Sequence, residues 1–189
     1  MEQLEEYLKE KILPDLEDSR GGFDKIHTSE VVAWLKQIIS RNPELNLDET
    51  VLLIAAYAHD WGYSDIFKKG QIMDIDMVEN AKKLHMELGA KKIKALLKDD
   101  FFSFLTDEQK ARCIHLVAVH DKKHEIKEVD ELILLEADSL SGLEISAGKP
   151  AFDAESNKKF MEAVINTRIP KFITEFSKNE AKRLIQARE

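Results

Sequence analysis

The sequence has 189 residues, of which 43% are hydrophobic and 34% charged, and these proportions suit one globular domain with a continuous core. Its formal net charge of -8 repels polyanions, which argues against a nucleic-acid or membrane-surface role but leaves room for a small phosphorylated ligand in a locally positive pocket. The single cysteine, Cys113, excludes an internal disulfide, and the longest apolar run, 51–58, is too short to span a bilayer. We therefore expect a cytoplasmic protein.

Helical periodicity dominates the chain, which contains only seven glycines and four prolines. No strand-like alternation persists, so we predict an all-α fold: a single compact helical bundle with its core over about 22–147 and a C-terminal helical extension over 151–189. The extension is expected either to pack on the bundle or to form part of an interface, such as that of a homodimer. The predicted helices are 3–17, 25–40, 49–58, 76–97, 107–120, 128–145, 154–166 and 170–187.

Turn and capping signals separate these helices. The segment 20–24 is the clearest loop in the N-terminal half, and Asp48 is expected to cap the third helix, whose apolar residues on nearly every face mark it as the buried centre. Thr106 and Gln109 form the pattern of a capping box ahead of the fifth helix. On the second helix, the predicted inward stripe consists of Ile26, Val31, Trp34, Leu35 and Ile38.

Two carboxylates lie on strongly apolar elements. Asp60 follows the buried third helix directly, and Asp138 in LILLEADSL shares a helix face with Leu135 and Leu132. A buried carboxylate is normally paired or bound to a metal, because an isolated one is costly to desolvate. Pairing with Arg or Lys, or helix capping, is an equal alternative for Asp138.

Several histidines also lie at helix ends or on inner faces. His27 opens the second helix on the face of Val31, and His120 ends the fifth helix. Imidazoles and carboxylates that converge in this way suit a nitrogen and oxygen metal site in a helical bundle. Each one taken singly is more typical of a hydrogen-bonded core side chain.

Three other residues with ligand chemistry are not expected to bind metal. His115 lies on a different helix face from His120, and His124 lies in the charged turn DKKHE. Cys113 has no partner at zinc-like spacing, so we expect a small core residue there.

Taken in order, the motifs FDKIHTSEVV, LLIAAYAHDWGY, LHMELGAKKI, LVAVHDKK and LEADSL resemble those of the HD superfamily of metal-dependent phosphohydrolases. The resemblance covers about 22–143. It implies a four-ligand metal site and, by likeness to a subset of the superfamily, two further histidines for a second metal. The implied ligands are His27, His59, Asp60 and Asp138, with His85 and His120 for the second ion.

This resemblance also implies chemistry. Asp60 would bridge two ions and act in catalysis by steering protons, and the mixed imidazole and carboxylate ligands suit one or two divalent ions of Mn, Fe, Co, Ni or Zn. The expected reaction is hydrolysis of a phosphate ester of a small metabolite or nucleotide by a metal-activated water. Two alternatives stay open: a di-iron oxygenase of the HD type, and a regulatory module that holds metal without turnover.

The sequence departs from the family pattern where many relatives place a phosphate-binding lysine, because that position is Tyr63. Arg20, Lys122 and Lys123 are candidates to replace it, together with Tyr63 itself, although an exposed surface charge is the favoured interpretation of each cation. The longer signatures of alarmone hydrolases and of cyclic dinucleotide phosphodiesterases are missing, which argues against those substrates.

Overall fold

The computed structural model describes residues 1–68, 71, 74–144 and 154–188. These residues form eight α-helices and no strand, which confirms the predicted all-α fold. None of these helices is both long enough and apolar enough to cross a membrane. The helices are α1 (Glu2–Leu16), α2 (Phe23–Arg41), α3 (Glu49–Ala58), α4 (Ile75–Leu96), α5 (Asp107–Val119), α6 (Val129–Leu143), α7 (Ala154–Ala163) and α8 (Glu175–Gln186).

Helix α3 is the centre of the bundle, and α1, α2, α5 and α6 pack around it. Every residue from Val51 to Ala58 is buried, as its continuous apolar pattern predicts. The predicted cap is confirmed, since the Asp48 side chain accepts a hydrogen bond from the amide of Val51 at 3.0 Å. Burial of each large aliphatic side chain contributes roughly 1.5–3 kcal/mol, so α3 is a firm support for the residues at its C-terminal end.

Two details of the N-terminal half differ from the prediction. The loop at 20–24 is shorter than expected, because a 3₁₀ turn covers Ser19–Gly22 and α2 already begins at Phe23. The turn is possible because Gly21 and Gly22 adopt φ values of 71° and 92°. The inclusion of Ile26 in the inward stripe of α2 was wrong: its side chain is 47% exposed, whereas the other four predicted positions are buried.

The C-terminal segment packs on the bundle, but its helices are shorter than predicted. Helix α7 ends at Ala163 and continues as a π-helix over Val164–Arg168, followed by a 3₁₀ turn over Ile169–Lys171. The predicted helix over 170–187 begins only at Glu175. The fully buried carboxylate of Glu136 on α6 accepts hydrogen bonds from the amides of Ile173 and Thr174, and these contacts hold the preceding residues out of the helix.

The end of the segment is also attached to α6. The Arg188 guanidinium donates hydrogen bonds to the carbonyl oxygens of Leu143, Gly142 and Glu144 at 2.7–3.2 Å. A cation at the C-terminus of a helix satisfies its last carbonyl groups and complements its dipole. Ile145, where the predicted sixth helix ends, lies outside the described residues.

Candidate metal centre

Asp60 lies between two pairs of histidines. One carboxylate oxygen, Oδ2, is 3.6 Å from His27 Nε2 and 3.5 Å from His59 Nε2. The other oxygen, Oδ1, is 3.5 Å from both His85 Nε2 and His120 Nε2. Each oxygen of one carboxylate therefore faces its own pair of imidazoles, which is the arrangement that a bridging ligand requires.

Within each pair the imidazole nitrogens also face one another. The Nε2 atoms of His27 and His59 are 3.4 Å apart, and those of His85 and His120 are 3.1 Å apart. All four rings and Asp60 are buried. Among the described residues, His27, His59 and Asp60 form one group able to hold a metal ion, and Asp60, His85 and His120 form another.

Asp138 completes the first group from helix α6. Its Oδ1 lies 3.1 Å from His27 Nε2, and its side chain is 12% exposed towards a cavity. The structure therefore brings together all six side chains that the sequence proposes as metal ligands. They come from α2, α4, α6 and the C-terminal ends of α3 and α5, so the bundle converges on one point.

Hydrogen bonds to the opposite ring nitrogens orient three of the histidines. His59 Nδ1 lies 2.8 Å from the carbonyl of Ala56, and His120 Nδ1 lies 2.9 Å from that of Val117. A carbonyl only accepts, so these Nδ1 atoms carry a proton, and Nε2 of each ring faces Asp60. Such outer contacts fix the tautomer and orientation of metal-binding histidines.

Ser141 orients the third ring, His27, and sequence reasoning missed it. Its hydroxyl lies 2.9 Å from His27 Nδ1 and donates to the His27 carbonyl at 3.2 Å, so it accepts from the ring. The signal was available, because Ser141 follows Asp138 by three residues and so lies on the same helix face.

Replacing Ser141 with alanine should weaken binding of one metal ion roughly 10- to 100-fold, the usual cost of losing an outer-shell partner. His27 would keep its place on α2 but lose the group that fixes its tautomer. Titration of the metal-free protein with Mn²⁺, followed by calorimetry, measures the change. Ser139→Ala is the matched control, because that buried hydroxyl on the same helix bonds only to the carbonyl of Leu135 among the described contacts. Equal affinities in the two variants would contradict the assigned role.

Arg20 neutralises Asp60 from the side of the α1–α2 connection. Its Nη2 donates to Asp60 Oδ2, and its Nε donates to Asp24 Oδ1 at 2.5 Å. The interpretation of Arg20 as an exposed charge was wrong, since its side chain is only 9% exposed. Burial opposes ionisation of Asp60, but His59 and Arg20 outweigh it and hold the pKa of Asp60 well below its usual range.

Arg168, from the C-terminal segment, neutralises Asp138 as Arg20 neutralises Asp60. Its Nη1 donates to Asp138 Oδ2, and its Nη2 lies 2.9 Å from Asp121 Oδ1. Burial raises the pKa of Asp138, but Arg168 and His27 hold it well below the usual value. The predicted alternative for Asp138, pairing with an arginine, is thus realised through Oδ2 while Oδ1 faces His27.

The histidines differ in charge preference. Burial and the neighbouring His120 lower the pKa of His85 to about 3, so this imidazole is neutral, as a metal ligand must be. Burial alone would lower the pKa of His59, but the carboxylates of Asp60 and Asp138 raise it to about 9 in the absence of a cation.

Nδ1 of His85 has no hydrogen-bond partner in the described part of the chain, and its ring stacks on Tyr63 with centroids 3.9 Å apart.

A cavity of about 250 Å³ opens beside these candidate ligands. Tyr63, Arg20 and Lys123, three of the predicted substrate-binding residues, line it. The C-terminal segment supplies another wall with Phe160, Val164 and Arg168. Lys123 is 13% exposed and paired with Asp121 at 3.9 Å, so its interpretation as a surface charge was wrong.

The remaining candidates lie elsewhere. Lys122 is 41% exposed, pairs with Glu125 at 3.6 Å and does not line the cavity. His115 bonds to Glu131 at 2.8 Å, and His124 is exposed, so neither joins the cluster. Cys113 is fully buried in the hydrophobic core, as predicted.

An all-helical domain in which buried histidine and aspartate side chains converge from five helices is a candidate metal-dependent hydrolase. The family model of the HD domain matches residues 25–144, well over half of the chain. The chain therefore belongs to the HD-domain family, whose members are typically metal-dependent phosphohydrolases. Comparison with curated proteins and with solved structures gave no match.

Proposed function

We propose that the protein is a phosphohydrolase that cleaves a phosphate ester of a small metabolite or nucleotide with one or two divalent transition-metal ions. The observation that carries this proposal is the position of Asp60, with one carboxylate oxygen facing each histidine pair at about 3.5 Å. This set of four imidazoles and two carboxylates fits Mn, Fe, Co, Ni or Zn better than Ca, which prefers oxygen ligands alone.

A divalent ion bound here would lower the pKa of a coordinated water towards neutrality and polarise a phosphoryl oxygen. The chain's own residues supply the rest. His27, His59 and Asp138 would hold one ion, and His85 and His120 would hold the other. Asp60 would be a ligand of both ions. His59 and Arg20 hold the pKa of Asp60 well below its usual range, so the carboxylate is ionised and would accept a hydrogen bond from an attacking water.

The size and the charge of the cavity favour a small, anionic substrate. Its volume of about 250 Å³ lies just below the range of roughly 300–1,000 Å³ that is usual for drug-sized ligands. Arg20, Lys123 and Arg168 present positive charge within it, and aromatic side chains at Phe23 and Phe160 provide an apolar surface for a carbon skeleton. Guanidinium and ammonium groups that face a phosphoryl group offset its charge as the leaving group departs.

The test is a screen of phosphate monoesters and nucleotides with Mn²⁺-loaded and Fe²⁺-loaded protein, in which phosphate release and oxygen uptake are followed together. We expect metal-dependent phosphate release that a chelator abolishes, with one oxygen atom of the phosphate derived from ¹⁸O-labelled water. His85→Ala should lose this activity, whereas His124→Ala, an exposed histidine away from the cluster, should retain it.

The alternatives have different signatures in the same screen. Oxygen uptake with an organic substrate and no phosphate release would contradict the proposal and support an oxygenase. Full metal occupancy without turnover of any substrate would contradict it as well, and would support a regulatory module.

A further inference from the structure

A cluster of three cations lies around Asp121 on the cavity wall. Arg168 Nη2 is 2.9 Å, Lys82 Nζ is 3.7 Å and Lys123 Nζ is 3.9 Å from an oxygen of this carboxylate. All four residues line the cavity, with side-chain exposures of 6% for Asp121, 10% for Arg168, 17% for Lys82 and 13% for Lys123. One buried carboxylate therefore faces three largely buried cations.

The charges of this cluster are not balanced when the metal centre is occupied. Asp138 shares Arg168 with Asp121, but as a metal ligand its charge would belong to the metal centre. Among the described residues, Lys82 has a second partner in Glu79, which is 48% exposed and so well screened by water. The cluster then holds three cations against Asp121 and one solvated carboxylate.

Other charged groups of the cavity do not remove this excess. Asp76 also lines the cavity but is exposed, and Lys159 adds a further positive charge that Glu155 pairs at 3.3 Å. Burial is the main reason that the pKa of Lys123 falls to about 8, and the neighbouring cations Arg168 and Lys82 lower it further. An anion bound between these groups would favour the charged form of Lys123.

The cluster is adjacent to the metal centre but separate from it. Arg168 spans the two, because Nη1 contacts Asp138 and Nη2 contacts Asp121. The π-helix Val164–Arg168 delivers this guanidinium, and such bulges occur frequently at functional sites. Arg168 lies beyond the HD-domain match, which ends at residue 144, so it is a feature of this chain's C-terminal segment.

We propose that Lys82, Lys123 and Arg168 form an anion subsite that binds a second phosphate group of the substrate, while the phosphate to be cleaved lies at the metal centre. The preferred substrate is then a small bisphosphate. A phosphate group carries a charge of about -1.5 to -2 at pH 7, which matches the excess positive charge of the cluster. This inference rests on the proposed function for the identity of the first phosphate, but binding at the subsite needs no turnover.

Binding of non-hydrolysable probes to the Mn²⁺-loaded full chain tests the subsite. Calorimetry compares propane-1,3-diphosphonate, which has two anionic groups, with propylphosphonate, which has one. The unaltered protein should bind the diphosphonate at least about tenfold more tightly, a ratio that corresponds to one strong charge-assisted contact. Lys82→Gln and Lys123→Gln should each reduce this ratio severalfold.

Lys122→Gln is the matched control, because Lys122 is adjacent in sequence but pairs with Glu125 outside the cavity. Thermal unfolding checks that each variant is folded. If Lys123→Gln does not fold, the affinity ratio of Lys82→Gln decides the test. A ratio near one in the unaltered protein, or equal ratios in the Lys82, Lys123 and Lys122 variants, would overturn the proposal.

Measurements of turnover distinguish the proposed anion subsite from the proposed phosphohydrolase function. A higher kcat/KM for a small bisphosphate than for the matching monophosphate, reduced in the Lys82 and Lys123 variants, would support both. Hydrolysis of monophosphates with no diphosphonate preference would leave the function standing and overturn the subsite. A diphosphonate preference without any phosphate release would support the subsite and contradict the function.

Discussion

Replacing Asp60 with alanine should remove both candidate metal positions at once. Each oxygen of this carboxylate faces one histidine pair, so no other single substitution in the cluster takes a ligand from both. We expect each ion to bind at least about 100-fold more weakly, beyond the 10- to 100-fold loss typical of an outer-shell change. A metal ion contributes several kcal/mol to the transition state and each 1.4 kcal/mol is a factor of ten, so phosphate release should fall at least ~100-fold.

Elemental analysis of the purified variants measures the metal per chain, and Asp138→Ala is the informative comparison. Asp138 approaches His27 and no residue of the His85 and His120 pair, so that variant should keep the second position. Asp65→Ala is the control for a changed net charge, because Asp65 is 45% exposed and pairs with Lys92 away from the cluster. An Asp60→Ala protein with unchanged metal content would show that the ligand assignment is wrong.

The sequence was sufficient to predict the part of the site that regular structure builds. The apolar residues of α3 require burial on every face, so the chain immediately after α3 had to place Asp60 at the edge of the core. Helical spacing in the same way put Asp138 on an inward face and His115 away from His120. These positions depend on local periodicity, which a single sequence contains.

The charged partners of the candidate ligands could not be predicted in the same way. Arg168 lies between the two predicted amphipathic helices of the C-terminal segment, where a cation is typical of a solvated surface, and only the packing of this segment against α6 brings it to Asp138. The turn at Ser19–Gly22 similarly carries Arg20 inward to Asp24 and Asp60. One signal was overlooked, since His120-Asp121 repeats the dipeptide His59-Asp60.

The backbone contact at Gly62 explains how His85 comes to face Asp60, and it leads to the second large expected effect. A Cβ atom at position 62 would lie 1.9 Å from the carbonyl oxygen of His85 and 2.7 Å from the amide nitrogen of Gly89. Both are backbone atoms of α4, so the clash cannot be relieved by a side-chain rotation. Because Gly62 has no side chain, α4 approaches the chain that follows α3 closely enough for His85 to reach the Asp60 carboxylate.

Gly62→Ala should therefore destabilise the protein by more than about 4 kcal/mol, a large part of the 5–15 kcal/mol that usually stabilises a domain. Urea unfolding measures this loss, and insoluble expression would agree with it. Gly142→Ala is the control: its Cβ would lie 2.9 Å from the tip of the Phe160 ring, which can move, so we expect a loss of about 1–3 kcal/mol. If Gly62→Ala instead loses only as much unfolding free energy as Gly142→Ala, the bundle tolerates a shift of α4. A second metal position that depends on His85 would then have to tolerate the same shift.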